Sequence, residues 1–218
     1  TCTSRTEYMN KIKKGNDFNI VVLFFLTALF FINFTTRIII SPMLPAISED
    51  LGLSHDQGGS FFLISAAGYF IALICSGFVS ARIGHKKTIG ISAVIAGCTF
   101  ILTGLSQGVF GMRTGLFITG MATALYLPSG MALLTSSIDQ QNWGKAIGVH
   151  ELAPNLSFLL SPLICEVLLL WMPWRGVCYS VGTFSILLGL CFIRFLKVND
   201  FSGEAPTLSA FLPLMKEA

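Results

Sequence analysis

The sequence predicts an all-α membrane protein, a bundle of six transmembrane helices, and three observations predict it. The chain is 53% hydrophobic and only 11% charged over 218 residues, where a soluble domain carries about 25% charged residues. Its apolar residues gather into six runs, each long enough for the ~20 residues that a bilayer crossing requires. Its lysines and arginines cluster between alternate runs, the pattern of cytoplasmic loops under the positive-inside rule.

Taken in order, residues 1–17 form a cytoplasmic N-terminal segment with Arg5, Lys11, Lys13 and Lys14. The first helix follows over about 18–45. Its basic flank resembles that of a signal peptide, but the run is too long for a signal core and no small-residue cleavage site follows. It reads as a retained helix that carries Arg37 and ends near Pro42 or Pro45. Residues 46–56 are polar and acidic, with Glu49, Asp50 and Asp56. The second and third helices fall at about 57–81 and 88–107, the fourth at 111–138. A polar loop leads to the fifth, at 144–172, which Glu151 and Glu166 interrupt. The sixth spans 175–196. Residues 198–218 begin a central cytoplasmic loop, in which 208–215 could lie as an interfacial helix.

With the N-terminus inside, the cytoplasmic segments hold Arg5, Lys11, Lys13, Lys14, Arg82, Lys86, Lys87, Lys145, Arg194, Lys197 and Lys216. The outer ends hold Arg113 and Arg175. Both termini are therefore expected in the cytoplasm. The net charge of +3 is no nucleic-acid footprint, because the charges are few and lie at helix ends. The six cysteines include no CxxC pair, and five of them lie in apolar runs, where cysteine behaves as a small hydrophobe. No metal site, cofactor or catalytic residue is expected. Ser129 and His150 can be imagined as a dyad, but the glycine expected two residues before the serine is Leu127, and Pro154 stands where a zinc motif starting at His150 needs its second histidine.

The stretch from Gly77 to Lys87 joins the second and third runs. Members of the major facilitator superfamily join these helices with Gly-x-x-x-Asp-(Arg/Lys)-x-Gly-(Arg/Lys)-(Arg/Lys), and this stretch resembles that turn. Gly77, Arg82, Gly84, Lys86 and Lys87 fit; Ala81 replaces the Asp and His85 a usual Arg or Lys. Residues 42–54 resemble the family's link between the first two helices. Residues 120–130, with Tyr126-Leu127-Pro128-Ser129-Gly130, are similar to its fourth helix, and 144–151 to the start of its fifth. Trp174-Arg175-Gly176 resembles the Trp-Arg that opens its sixth. The resemblance covers about residues 41–190. It implies the N-terminal half of a twelve-helix fold, with a C-terminal six-helix half as partner and a substrate site between the halves. It also implies a small-molecule substrate, a coupling proton or ion, and a place in the bacterial inner membrane. In the family, the basic turn latches the halves in one state of the transport cycle.

A charge inside the membrane costs at least about 2.5 kcal/mol at mid-depth on insertion scales, so such residues are the first functional candidates. Arg37 has Asn33, a second substrate-binding candidate, one turn before it on the same face. Resemblance to anion-transporting facilitators implies that Arg37 faces the central cavity and binds an anionic group; the alternative is an arginine reaching to the outer interface. Glu151, Asn155, Phe158, Pro162 and Glu166 fall on one stripe of the fifth helix, a cavity or interhelix face. Asn155 is a substrate-binding candidate there. Glu151 and Glu166 are proton-coupling candidates, or else structural partners of an arginine; Glu151 lies within reach of Arg82. Tyr69, on the second helix, is placed to hydrogen-bond a substrate across the cavity. Arg113 reads as an interfacial anchor, since the family's fourth-helix arginine corresponds to Leu116. Gly58, Gly59, Gly104, Gly120 and Pro162 are expected to allow close helix contacts.

The expected function is secondary transport of a small solute, an organic anion in the reading of Arg37, by alternating access. The alternative is a non-transporting remnant or regulatory membrane subunit.

Overall fold

The structure, a computed structural model, describes residues 20–196. The N-terminal segment and the 208–215 stretch lie outside the described residues. Six helices are long and apolar enough to cross a membrane: α1 (Ile20–Leu51), α2 (His55–Ile83), α3 (His85–Gly104), α4 (Val109–Ser137), α5 (Gln140–Leu169) and α6 (Trp174–Phe195). No strand occurs among the described residues.

Two of the helices are broken, each four residues before a proline. The first part of α1 ends at Ile38 and the helix resumes at Ile40, with Pro42 in the next turn. The first part of α4 ends at Ala124 and resumes at Tyr126, with Pro128 following. A proline offers no N–H to the carbonyl four residues back, and its ring crowds that carbonyl. Proline thus interrupts α1 without ending it. The helix runs on to Leu51, beyond the Pro42 or Pro45 stop expected from sequence, because Ile40, Met43 and Ile47 form a buried face that holds the extension.

The connections are short and built from local signals. Gly52 caps α1 in the left-handed region (φ 63°), and Ser54 opens α2 in a reciprocal capping box with Gln57. One residue, Gly84, separates α2 from α3, at φ 86° and ψ 156°. A side chain there would be strained, which explains why the basic turn needs glycine at this position. Trp143 donates from Nε1 to the carbonyls of Thr135 and Ile138, tying the start of α5 to the end of α4.

The packing obeys a pseudo-twofold pattern between the first three helices and the last three. α1 packs on α5 as α4 packs on α2, while α3 and α6 pack on each other. Glycines allow two reciprocal close approaches of helix backbones. A Cβ on Gly68 of α2 would lie 2.2 Å from the Phe117 carbonyl of α4, and one on Gly120 of α4 would lie 2.1 Å from the Ser65 carbonyl of α2. Gly97 of α3 and Gly182 of α6 stand in the same reciprocal relation, at 2.4 and 2.7 Å. In lipid, where apolar surface alone does not drive helices together, such backbone proximity is what dispersion and packing require. Of the other expected close contacts, Gly58 meets Leu44 and Gly104 meets Cys178, but Gly59 faces open space.

The interior forms two layers. Val22, Leu26, Phe30, Tyr126, Leu133 and Phe192 belong to the layer toward the end that carries Arg82, Lys86 and Lys87. Ile39, Met43, Phe61, Phe100, Met112 and Trp174 belong to the opposite layer. α2 and α5 are the least covered helices and leave open faces.

Candidate functional site

Arg37 sits just before the break in α1, half-buried. Its guanidinium lies over the ring of Tyr69 from α2, with Cζ 4.0 Å from the ring centroid, and 5.4 Å from that of Phe34. A cation over a π-face gains about 0.5–2 kcal/mol depending on desolvation. Among the described residues, Arg37 forms no ion pair. The fork of donors is therefore held by aromatic rings and not occupied by a carboxylate. Phe34 also meets Phe158 of α5, with centroids 5.8 Å apart. Rings of α1 and α2 thus hold the cation, and α5 reaches it only through the Phe34–Phe158 contact.

Asn33, one turn below, is buried, and its Nδ2 donates to the Thr123 carbonyl of α4 across 3.1 Å. That bond ties α1 to α4 beside the break in α4. Thr35 and Ser157 add a second tie: Ser157 donates to the Phe31 carbonyl at 2.9 Å, and Thr35 lies 3.4 Å from Ser157.

The α5 stripe lies open. Asn155, Phe158, Pro162 and Glu166 are exposed, and Glu151 is half-exposed. Asn155 folds back on its own helix, donating to the Glu151 carbonyl at 2.8 Å. Glu151 approaches His150, not Arg82: its Oε1 is 3.3 Å from His150 Nδ1. Glu166 makes no ion pair among the described residues. Arg113 donates to Ser60 Oγ at 3.0 Å, bridging α4 to α2. In the basic turn, Arg82 and Lys87 are exposed, Lys86 and Gly77 half-buried, and Gly84 buried.

Two clusters are not legible in the sequence. At the end away from the basic turn, Asp50 accepts from both Trp174 and Arg175, and Arg175 also reaches the Ser106 carbonyl. The acidic tail of α1 and the Trp-Arg pair were both visible in sequence, but nothing local couples them. The second cluster centres on His150, whose Nε2 meets the Tyr126 hydroxyl and not Ser129. A histidine inside an apolar run beside a glutamate was its only sequence signal.

Six membrane-length helices around a half-buried cation define an α-helical integral membrane protein. The chain matches the Major Facilitator Superfamily over residues 26–214 and belongs to that family. It is 24% identical over 154 residues to the Multidrug resistance protein MdtL of Klebsiella pneumoniae, covering 71% of this chain and 39% of that protein. It is 25% identical over 177 residues to the Probable sulfoacetate transporter SauU of Cupriavidus necator, covering 81% and 41%. Among solved structures, the bacterial homolog to the human lysosomal transporter Spinster, in its inward-facing and occupied conformation, superposes with a TM-score of 0.74 at 17% identity, over 86% of this chain and 46% of that one. The peptide transporter POT in complex with sulfate superposes at 0.71 with 13% identity, over 93% and 44%. The chain thus spans less than half the length of each of these proteins. The structural likenesses establish the fold: this six-helix bundle is half of a twelve-helix architecture.

Proposed function

We propose that the bundle is the N-terminal half of a secondary transporter that moves a small organic anion by alternating access, with Arg37 as its primary substrate-binding charge. The single observation that carries this reading is a half-buried guanidinium, stacked on Tyr69, that forms no ion pair among the described residues. An arginine so placed offers a carboxylate, sulfonate or phosphate two charge-assisted bonds from a planar fork. Tyr69 positions the fork and offers its hydroxyl to the same ligand. Asn33 acts as a positioning residue through Thr123. Asn155, on the open stripe of α5, is the candidate contact on the far side of the cavity. Glu151 and Glu166 on that stripe are the groups proposed to carry the coupling proton. A second six-helix half packs over the open faces of α2 and α5, and the turn formed by Gly77, Arg82, Gly84, Lys86 and Lys87 meets it on the cytoplasmic side. Both termini lie in the cytoplasm, and the membrane is the bacterial inner membrane.

The test is uptake by the full-length protein in proteoliposomes, with sulfoacetate, the anion in one relative's name, as the first probe and a panel of other organic anions beside it. Arg37→Ala abolishes uptake with expression near normal, because it removes a charge from the membrane interior. Arg37→Lys keeps the charge, loses the fork and weakens binding. Undiminished anion uptake by the alanine variant would reduce Arg37 to an interfacial anchor.

A further inference from the structure

His150 lies fully enclosed where α1, α4 and α5 meet. Its ring stacks on Phe30 with centroids 4.5 Å apart and planes 14° apart. The Tyr126 hydroxyl is 2.6 Å from the Leu26 carbonyl oxygen and 3.0 Å from His150 Nε2. On the other side of the ring, Nδ1 is 3.3 Å from Glu151 Oε1.

The hydrogens on these atoms can be counted. A carbonyl only accepts and a phenol carries one hydrogen, so Tyr126 donates to Leu26. Nε2 must then be the donor toward Tyr126. A neutral imidazole with its hydrogen on Nε2 has a lone pair on Nδ1, and that lone pair would face a carboxylate oxygen. The contact is attractive only with one more proton, carried by Nδ1 or by the Glu151 carboxyl. We infer that His150 and Glu151 together form a proton-binding site, held in register by the Tyr126 hydroxyl and the Leu26 carbonyl.

The surroundings fit a site that exchanges its proton from one side. The titratable groups that face His150 are Glu151 on its own helix and Tyr126 from α4; α1 presents the Phe30 ring and the Leu26 carbonyl. The His150 side chain is 0% exposed and that of Glu151 is 47% exposed. The proton therefore enters and leaves through Glu151, on the open face of α5. Release to water leaves a neutral imidazole against a carboxylate, so the Nδ1–Oε1 contact opens and Glu151 is freed toward that face. Phe30 packs edge-on to Phe34 at 5.6 Å, and Phe34 borders Arg37, so two aromatic rings separate the proton site from the proposed anion site. The inference deepens the reading of Glu151 as a coupling residue and rests on the transporter proposal only for what the proton would drive.

The experiment is nitrogen NMR of the full-length protein, labelled at histidine, in phosphatidylcholine nanodiscs, titrated from acid to alkaline pH. His150→Gln assigns the signal. The expected result is one proton lost from the pair, seen either as an imidazolium becoming an Nε2–H imidazole or as loss of a carboxylic-acid infrared band that Glu151→Gln deletes. Glu151→Gln supplies an amide N–H to Nδ1, so His150 binds the extra proton about tenfold more weakly or worse. Tyr126→Phe keeps the shape and frees Nε2, so the neutral ring moves its hydrogen to Nδ1. A His150 that stays a neutral Nε2–H imidazole across the range, with no carboxylic-acid band lost in Glu151→Gln, overturns the inference. Neither result depends on anion binding, so a failure at Arg37 and a failure here are read separately.

Discussion

Asp50, at the end of α1, and Arg175, in the first turn of α6, form an ion pair that Trp174 shares by donating to the same carboxylate oxygen. The pair joins the first and last helices at the end of the bundle away from the basic turn. Arg175 also reaches the Ser106 carbonyl after α3, so three connections meet at one guanidinium. Asp50→Asn removes the charge and keeps the shape. It should lower the thermal midpoint in detergent modestly, since both partners are partly exposed, and high salt should shrink the difference from wild type. Equal midpoints at low salt would show the pair to be energetically silent.

The crossing of α2 and α4 predicts opposite outcomes at two glycines. Gly120→Ala drives a Cβ against the Ser65 carbonyl and should cost about 1–3 kcal/mol, the usual cost of overpacking. Gly59→Ala meets nothing within 4 Å. It replaces the poorer helix former and should be neutral or stabilising by up to about 1 kcal/mol. Unfolding in mixed micelles followed by denaturant titration measures both. Equal effects at the two positions would mean that the helices do not cross this closely.

Gly84 supplies the backbone geometry that turns α2 into α3. At φ 86° and ψ 156° it occupies a region open almost only to glycine. Gly84→Ala should destabilise the protein by about 1–3 kcal/mol without any lost contact. Gly77→Ala, in the interior of α2, is the comparison, and a smaller loss there is expected. A harmless Gly84→Ala would require another turn geometry.

The charge distribution predicts the orientation. Cysteines placed at Ser54 and Gln107 in an otherwise unreactive background should react with an impermeant thiol reagent added to intact cells. A cysteine at Gln141, beside Lys145, should react only after the membrane is opened. The reverse pattern would invert the topology and place the basic turn outside.

The six spans and the family were legible in the sequence because each is a local property. A bilayer asks only for about 20 apolar residues, and capping residues act within one turn, as at Gly52 and Ser54. The breaks at Ile39 and Leu125 follow equally from Pro42 and Pro128, each three residues downstream, although local sequence alone suggests a stop at Pro42 or Pro45. Which residues meet was decided only by the tertiary structure. Tyr69 beneath Arg37, Asp50 against Arg175, and Tyr126 between Leu26 and His150 join residues far apart in the chain. No pattern announces these pairs, because a helix in lipid is apolar on the side that faces its neighbours and on the side that faces the bilayer alike. The periodicity that marks the inner face of a helix in water is absent. Close approach is instead set by where glycines such as Gly68, Gly97, Gly120 and Gly182 happen to oppose one another, and that depends on the whole bundle.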